Sequence, residues 1–129
     1  MKTIRFLLLL VVSTLIPSCD KITIGESFTT KVGDKIHVTS SFSFSIRSVL
    51  DYRCPVDVVC ATSGDVNTYI RFHQALHQTD TVICLYSSGK NPIIIHGYSF
   101  KVLSVTPLPR IGVTHSQDDF RIEMMVTDN

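Results

Sequence analysis

The sequence predicts a small all-β protein, and three features of the chain indicate this fold class. Short apolar runs with a period of two recur along the chain, and clusters of glycine, proline, serine and asparagine separate them. Side chains of a strand point alternately to opposite faces, so this period is typical of half-buried strands. No segment has the 3.6-residue period of a convincing helix. Six or seven such strands fit into residues 20–129, which favours a small antiparallel, partly closed barrel, with a β-sandwich as the alternative.

The first predicted strands lie between residues 26 and 51. Residues 26–32 form a short strand, which Gly33 and Asp34 end. From residue 36 to residue 47, apolar side chains occupy even positions and polar side chains occupy odd ones. Ser40 is the exception, which predicts a bend in one long strand, and a change of parity near Ser48 predicts a β-bulge. This long bent strand favours the barrel, because it could curl around two sides of it.

Three segments with different patterns follow the cysteine-rich region. Residues 65–73 alternate in polarity and predict a strand with its apolar side chains facing the core. Residues 74–80 are polar and predict a loop or a single helical turn. Residues 81–86 are apolar at both parities, which predicts a strand buried on two faces.

The C-terminal part predicts three more strands. Residues 93–95 form a brief strand, and residues 98–105 form a longer one with a second bulge near Leu103. Residues 106–110 contain two prolines and cannot continue a central strand. A polar loop at residues 111–119 then leads to the last strand, whose core-facing side chains are Phe120, Ile122, Met124 and Val126.

The first eighteen residues predict a targeting segment. Lys2 and Arg5 precede an apolar run at residues 6–16, which is too short to span a bilayer but typical of a signal-peptide core. Residues 16–19 resemble a bacterial lipoprotein cleavage box. This predicts a lipoprotein signal peptide at 1–18 and a lipid-anchored mature chain of one domain at 19–129, with Cys19 as the lipidated residue. The alternative is an ordinary secretory peptide with an incidental cysteine, and both place the mature chain in an oxidising compartment.

The charge of the mature chain argues against nucleic acid as a partner. Removing Lys2 and Arg5 leaves ten basic side chains against eleven acidic ones, with no run of Lys or Arg. Binding to nucleic acid depends on clustered basic residues that displace counterions. No second apolar stretch is long enough to cross a bilayer. Membrane contact is therefore expected through the lipid anchor only.

Cys54 and Cys60 enclose a short, mostly aliphatic segment that consists of Pro55, Val56, Asp57, Val58 and Val59. A disulfide between these cysteines would close a ring too small to gain much from loop entropy, so its main effect would be on local shape. One interpretation is that the ring is a cross-link that fixes the end of the long strand. The other is that it is a rigid rim loop that enters the cleft of a partner and loses little conformational entropy on binding, and the two roles are compatible. Cys84 is then a small buried hydrophobe, although its pairing with Cys54 or Cys60 stays open.

A second constrained loop contains Pro107, Leu108, Pro109 and Arg110. Proline restricts a loop before it docks, so less entropy is lost on binding. Exposed apolar side chains beside such constraint indicate a contact surface. The alternative is that Val56, Val58 or Leu108 turns inward and plugs the core.

The sequence provides no recognisable catalytic constellation. It has no Gly-x-Ser-x-Gly elbow, no glycine-rich phosphate loop and no anchor for a Ser-His-Asp triad. His73 and His77 have the spacing of a helical metal site, but their flanks predict a strand and a loop, and no third ligand is evident. We therefore expect no enzymatic activity, no metal and no cofactor.

Residues 51–60, Asp-Tyr-Arg-Cys-Pro-Val-Asp-Val-Val-Cys, followed by Gly-Asp-Val at 64–66, resemble a motif of small secreted lipoproteins of Gram-negative bacteria. That motif has an Asp-Ser-Arg-Cys-Pro run, then Val-x-Cys, a Trp and a Gly. Tyr52 and Thr62 stand here in place of its small residue and its Trp. Many members of this broad family have no known activity. In size, anchor and all-β build the chain is similar to the potempins, bacterial lipoprotein inhibitors of secreted proteases with an OB-like barrel.

The resemblance implies a lipid-anchored protein of the Gram-negative cell envelope, in the outer membrane, that inhibits a secreted endopeptidase by inserting a rigid rim loop. A metalloprotease is the first expectation, with Asp57 approaching the catalytic zinc. A serine protease is the second, with Arg110 as a specificity residue. The alternative is a non-catalytic binding or structural lipoprotein of the envelope.

Overall fold

The computed structural model describes residues 21–129, so the predicted signal peptide and Cys19 lie outside the described residues. Within this range the chain forms eight strands and one short 3₁₀ helix at Gln117–Asp119. No helix of residues 21–129 is long and apolar enough to cross a membrane. The strands are β1 (Ser27–Thr30), β2 (Lys35–His37), β3 (Phe42–Asp51), β4 (Val66–Gln74), β5 (His77–Cys84), β6 (Ile93–Ile95), β7 (Tyr98–Thr106) and β8 (Arg121–Asp128).

The strands form two antiparallel four-stranded sheets, which confirms the all-β prediction. One sheet has the order β1-β8-β7-β6 and the other has the order β2-β3-β4-β5. The edge strands of one sheet do not pair with those of the other within residues 21–129. The described strands therefore form no closed barrel, and a sandwich-like arrangement is consistent with the two sheets.

The single long strand predicted from residue 36 onward is wrong, because the chain turns back at Ser40. β2 and β3 are the two arms of a hairpin in which Ile36 pairs with Phe44 and His37 pairs with Ser43. The turn is centred on one residue, so even-numbered side chains of both arms share one face, and the period of two continues through the turn. Since both arms stay in one sheet, no strand curls around to close a barrel.

The predicted loop at residues 74–80 is also wrong, because β5 already begins at His77. Ala75 and Leu76 form a two-residue turn between β4 and β5, with Ala75 at a positive φ of 50°. β5 is an edge strand, and only Ile83 and Cys84 of the segment predicted to be buried on both faces are buried. Both predicted bulges are confirmed by shifts of register, one between Ile46 and Ser48 and the other between Val102 and Ser104.

The core lies between the two sheets and is dominated by aromatic rings. Phe100 of β7 is fully buried and meets rings from the facing sheet. Its ring centroid lies 4.7 Å from that of Phe72, 5.4 Å from that of Phe44 and 6.0 Å from that of Phe42. These ring pairs cross from one sheet to the other. They therefore stabilise the packing between the sheets, whereas backbone hydrogen bonds stabilise the pairing of strands within each sheet.

We expect Phe100→Ala to lower the free energy of unfolding by about 3–5 kcal/mol, because it removes the ring that three others pack against. Urea denaturation measures this loss. Ile94→Ala on the exposed side of β6 is the control, with an expected change of no more than about 0.5 kcal/mol. Similar losses for the two variants would contradict a core centred on Phe100.

Candidate functional site

The predicted disulfide between Cys54 and Cys60 is present, with an S–S distance of 2.07 Å and Cα atoms 5.9 Å apart. Cys84 is a buried free cysteine at the end of β5, so neither alternative pairing occurs. The six-residue separation makes a small ring just beyond β3. The ring lies at the end of the sheet β2-β3-β4-β5 where β3 ends and β4 begins.

Arg53 fixes the base of this ring. Its guanidinium is buried and makes a two-pronged ion pair with Asp51, in which Nε lies 2.8 Å from Oδ1 and Nη2 also donates to Oδ2. The same group donates to the carbonyl oxygens of Val105, at 2.7 Å, and Pro107, at 3.1 Å. Hydrogen bonds to Asp51 raise the pKa of Arg53, although burial opposes this. One side chain therefore joins the end of β3 to the end of β7.

Gly64 allows the two arms of the ring to lie side by side. Tyr52 N donates to Asp65 O and Cys54 N donates to Ser63 O, each at 2.8 Å, so the pairing of β3 with β4 continues past their ends. Gly64 has a φ of +69°, and a Cβ at this position would lie 1.9 Å from the Tyr52 carbonyl oxygen. Only glycine fits both the positive φ and this close approach.

Asp65 ties the next turn to the same end of the sheet. Its carboxylate accepts hydrogen bonds from the backbone N–H groups of Val66, Tyr86 and Ser87 and from the Ser87 hydroxyl. Burial alone would raise the pKa of Asp65, but the Ser87 hydroxyl and the three backbone donors together lower it below its usual value.

The disulfide ring and the proline-rich loop contact each other directly. Val56 N donates to Pro109 O at 3.0 Å, and Ile111 N donates to the Asp57 carboxylate at 3.1 Å. The two candidate loops therefore form one unit, although 54 residues separate Asp57 from Ile111. The Asp57 carboxylate is exposed, and this backbone bond holds it in one orientation.

Apolar side chains of both loops are exposed on this unit. Val59 is 100% exposed, Ile111 is 61% exposed and Leu108 is 51% exposed. Val56 and Val58 are also exposed, so none of the three side chains considered as a core plug turns inward. We call this set the composite loop surface, and it consists of Val56, Asp57, Val58, Val59, Leu108 and Ile111.

The remaining predicted site residues lie close to this surface. Pro55, Pro107 and Pro109 are half-buried beneath it, and Arg110 is exposed beside it. Sequence reasoning missed Arg53 and Asp65 as the residues that position the loops. The signal available for Arg53 was its place two residues after Asp51, at the start of the cysteine segment.

The two histidines considered as metal ligands lie on separate strands. His73 is in β4, where its Nε2 lies 3.2 Å from Ser45 Oγ, and His77 opens β5. Among residues 21–129, no three His, Cys, Asp or Glu side chains come together in a way that could hold a metal ion.

Comparisons with protein-family models, with curated protein sequences and with solved structures found no match to this chain.

We expect Arg53→Met to lower the free energy of unfolding by about 3–5 kcal/mol, because it leaves the Asp51 carboxylate poorly solvated and without its partner. Arg71→Met is the matched control, since Arg71 makes a similar two-pronged pair with Asp80 on the exposed face. The control should change stability little, as is usual for surface pairs. Urea denaturation measures both changes. Equal losses of unfolding free energy for the two variants would contradict a larger contribution of the buried ion pair.

The lowered pKa of Asp65 predicts a pH-dependent effect of Asp65→Asn. The carboxylate stabilises the fold above its unfolded-state pKa of about 4, and this contribution is lost as the pH falls through the lower folded-state pKa. The difference in unfolding free energy between wild type and variant should therefore narrow from about pH 6 to about pH 3. Urea denaturation at several pH values measures this difference in unfolding free energy. A difference that stays constant with pH would contradict a stabilising role of the ionised Asp65 carboxylate.

Proposed function

We propose that this protein inhibits a secreted endopeptidase by placing the composite loop surface in the cleft of that enzyme. The observation that supports the proposal most is an exposed apolar loop that is already fixed before binding. The Val59 side chain is 100% exposed. The ring that carries it is held by the Cys54–Cys60 disulfide, by the bond from Val56 N to Pro109 O and by the bond from Ile111 N to the Asp57 carboxylate.

The rigidity of the loops matters because ordering a flexible loop reduces affinity. Each immobilised flexible side chain costs about 0.5–1.5 kcal/mol on binding, and ordering of the backbone adds to this. A ring with its backbone already hydrogen-bonded avoids much of that loss. Valine also has a single side-chain torsion, so the exposed Val56, Val58 and Val59 lose little freedom in a complex.

A metalloprotease is the favoured target class and a serine protease is the second. The Asp57 carboxylate accepts a hydrogen bond from Ile111 but keeps unused lone pairs, so it can still approach a catalytic zinc ion. Arg110 is exposed beside the same surface and provides a basic side chain for the specificity pocket of a trypsin-like enzyme.

We further propose that Cys19 anchors the mature chain by lipid to the cell envelope of a Gram-negative bacterium, in the outer membrane. The lipoprotein-like box at residues 16–19 and the disulfide, which needs an oxidising compartment, both support this location. The alternative is a non-catalytic binding or structural lipoprotein of the envelope, for which the same surface would bind an envelope protein.

The test is to titrate residues 20–129 against the endopeptidases secreted by the same cell. We expect saturable inhibition, and we expect Val59→Asp to weaken it at least about tenfold, because a charge replaces an apolar contact at the centre of the interface. Asp57→Asn should affect inhibition of a metalloprotease, whereas Arg110→Ala should affect inhibition of a trypsin-like enzyme.

Leu76→Asp is the matched control, since Leu76 is 98% exposed but lies on the turn between β4 and β5, away from the composite loop surface. It should inhibit as wild type does. No inhibition at a large molar excess would refute the proposal. Recovery of an envelope protein by wild type but not by Val59→Asp would then favour the alternative.

A further inference from the structure

A polar hollow of about 290 Å³ opens on the outer face of the sheet β2-β3-β4-β5, near the turn at Ser40. It lies at the end of the sheet opposite to the disulfide ring, because β3 begins beside it and ends at Asp51. The side chains around it that can bind a ligand are those of Lys35, His37, Ser40, Ser41, Ser43 and His73.

The strand register brings these side chains together. Ser43 of β3 pairs with His37 on one side and with His73 on the other, so an imidazole flanks the serine on each neighbouring strand. Directly paired residues have Cβ atoms about 4.5–5.5 Å apart, which brings both histidines next to one serine. Lys35 pairs with Ser45 in the adjacent row and adds an ammonium group to the same hollow.

Several donors in the hollow have no partner in the described part of the chain. Neither the His37 ring nor the Ser43 hydroxyl makes a hydrogen bond within residues 21–129, and the Ser43 hydroxyl is not among the fully buried polar atoms without a partner in this range. Lys35 forms no ion pair in the same range. These groups can therefore turn to a ligand without breaking a contact in the fold.

The charge around the hollow is positive. Among residues 21–129, no carboxylate lines it, and the nearby Asp80 is already paired with Arg71. Burial is the main cause that lowers the pKa of His73, followed by the positive charges of Lys35, Arg71 and Arg47, and Asp80 offsets this only in part. An anion in the hollow would relieve this repulsion.

We propose that this hollow binds a phosphate group, presented by a phospholipid headgroup. An ammonium group, two imidazoles and several hydroxyls are the donors that phosphate oxygens accept from. The cationic side chains are also attracted to the negative charge of a phosphate, an attraction that an apolar or cationic ligand would not provide.

That the phosphate belongs to a lipid headgroup is inferred from the position of Lys21, close to the proposed anchor, and rests on the proposed lipidation of Cys19. Lys21 forms a bridge with His37, which lines the hollow. Two extended residues, from Cys19 to Lys21, span about 7 Å at most. The polar headgroup layer of one leaflet is about 5–8 Å thick. An acylated Cys19 would therefore keep Lys21, and His37 bridged to it, close to the headgroup layer that contains the lipid phosphates.

The experiment follows the histidine ring signals of the full chain by NMR. In maltoside micelles, which contain no phosphate, we titrate inorganic phosphate against a chloride control of equal ionic strength. In a second arm the chain is placed in phosphatidylglycerol nanodiscs without free phosphate. We expect the signals of His37 and His73 to shift in both arms, and that of His115 to stay unchanged.

Lys35→Ala should weaken phosphate binding about tenfold, as expected for the loss of one charge-assisted contact. Lys101→Ala, an exposed lysine on the other sheet, is the matched control and should have no effect.

No shift of His37 and His73 in either arm, or an equal shift of His115, would overturn the proposal. Shifts with inorganic phosphate but not in nanodiscs would overturn the lipid source and leave a site for soluble phosphate groups. Because neither arm contains a protease, the result does not depend on whether the chain inhibits one.

Discussion

The contact between the two sheets is the constraint on which the rest of this structure depends. Each sheet is held by its own backbone ladder, but in residues 21–129 no strand of one sheet pairs with a strand of the other. Burial of apolar area alone would let the sheets slide, since it has no direction. Phe100 meets Phe42, Phe44 and Phe72 in edge-to-face pairs, and it sets the position of the sheets because interlocked rings resist sliding.

Polar side chains provide hydrogen-bond partners for backbone groups that strand pairing leaves unpaired. β2 covers only the first part of β3, and the side-chain amide of Gln117 takes the place of a missing strand by bonding both Val49 N, at 2.8 Å, and Val49 O, at 2.9 Å. Asn91 does the same for Val102, beside the bulge of β7. Buried backbone groups need partners, so these amides and Arg53 stabilise the fold.

The sequence predicts what depends on a local period and misses what depends on distant partners. The period of two located the core faces, and changes of parity located both bulges. The Ser40 turn was missed because it preserves parity, and the start of β5 was missed because His77 to Asp80 are all exposed at a sheet edge. The disulfide was predictable from spacing, but the bond between Asp57 and Ile111 leaves no local trace.

The two proposed sites lie at opposite ends of one strand, and this placement makes them compatible. β3 has ten residues and begins beside the hollow, so the disulfide ring stands about 30 Å away from it. If the hollow rests on lipid headgroups, the composite loop surface stays outside that contact, because it lies at the other end of β3. The phosphate contact and the protease contact then use separate residues at opposite ends of one rigid sheet, so occupation of one site does not block the other.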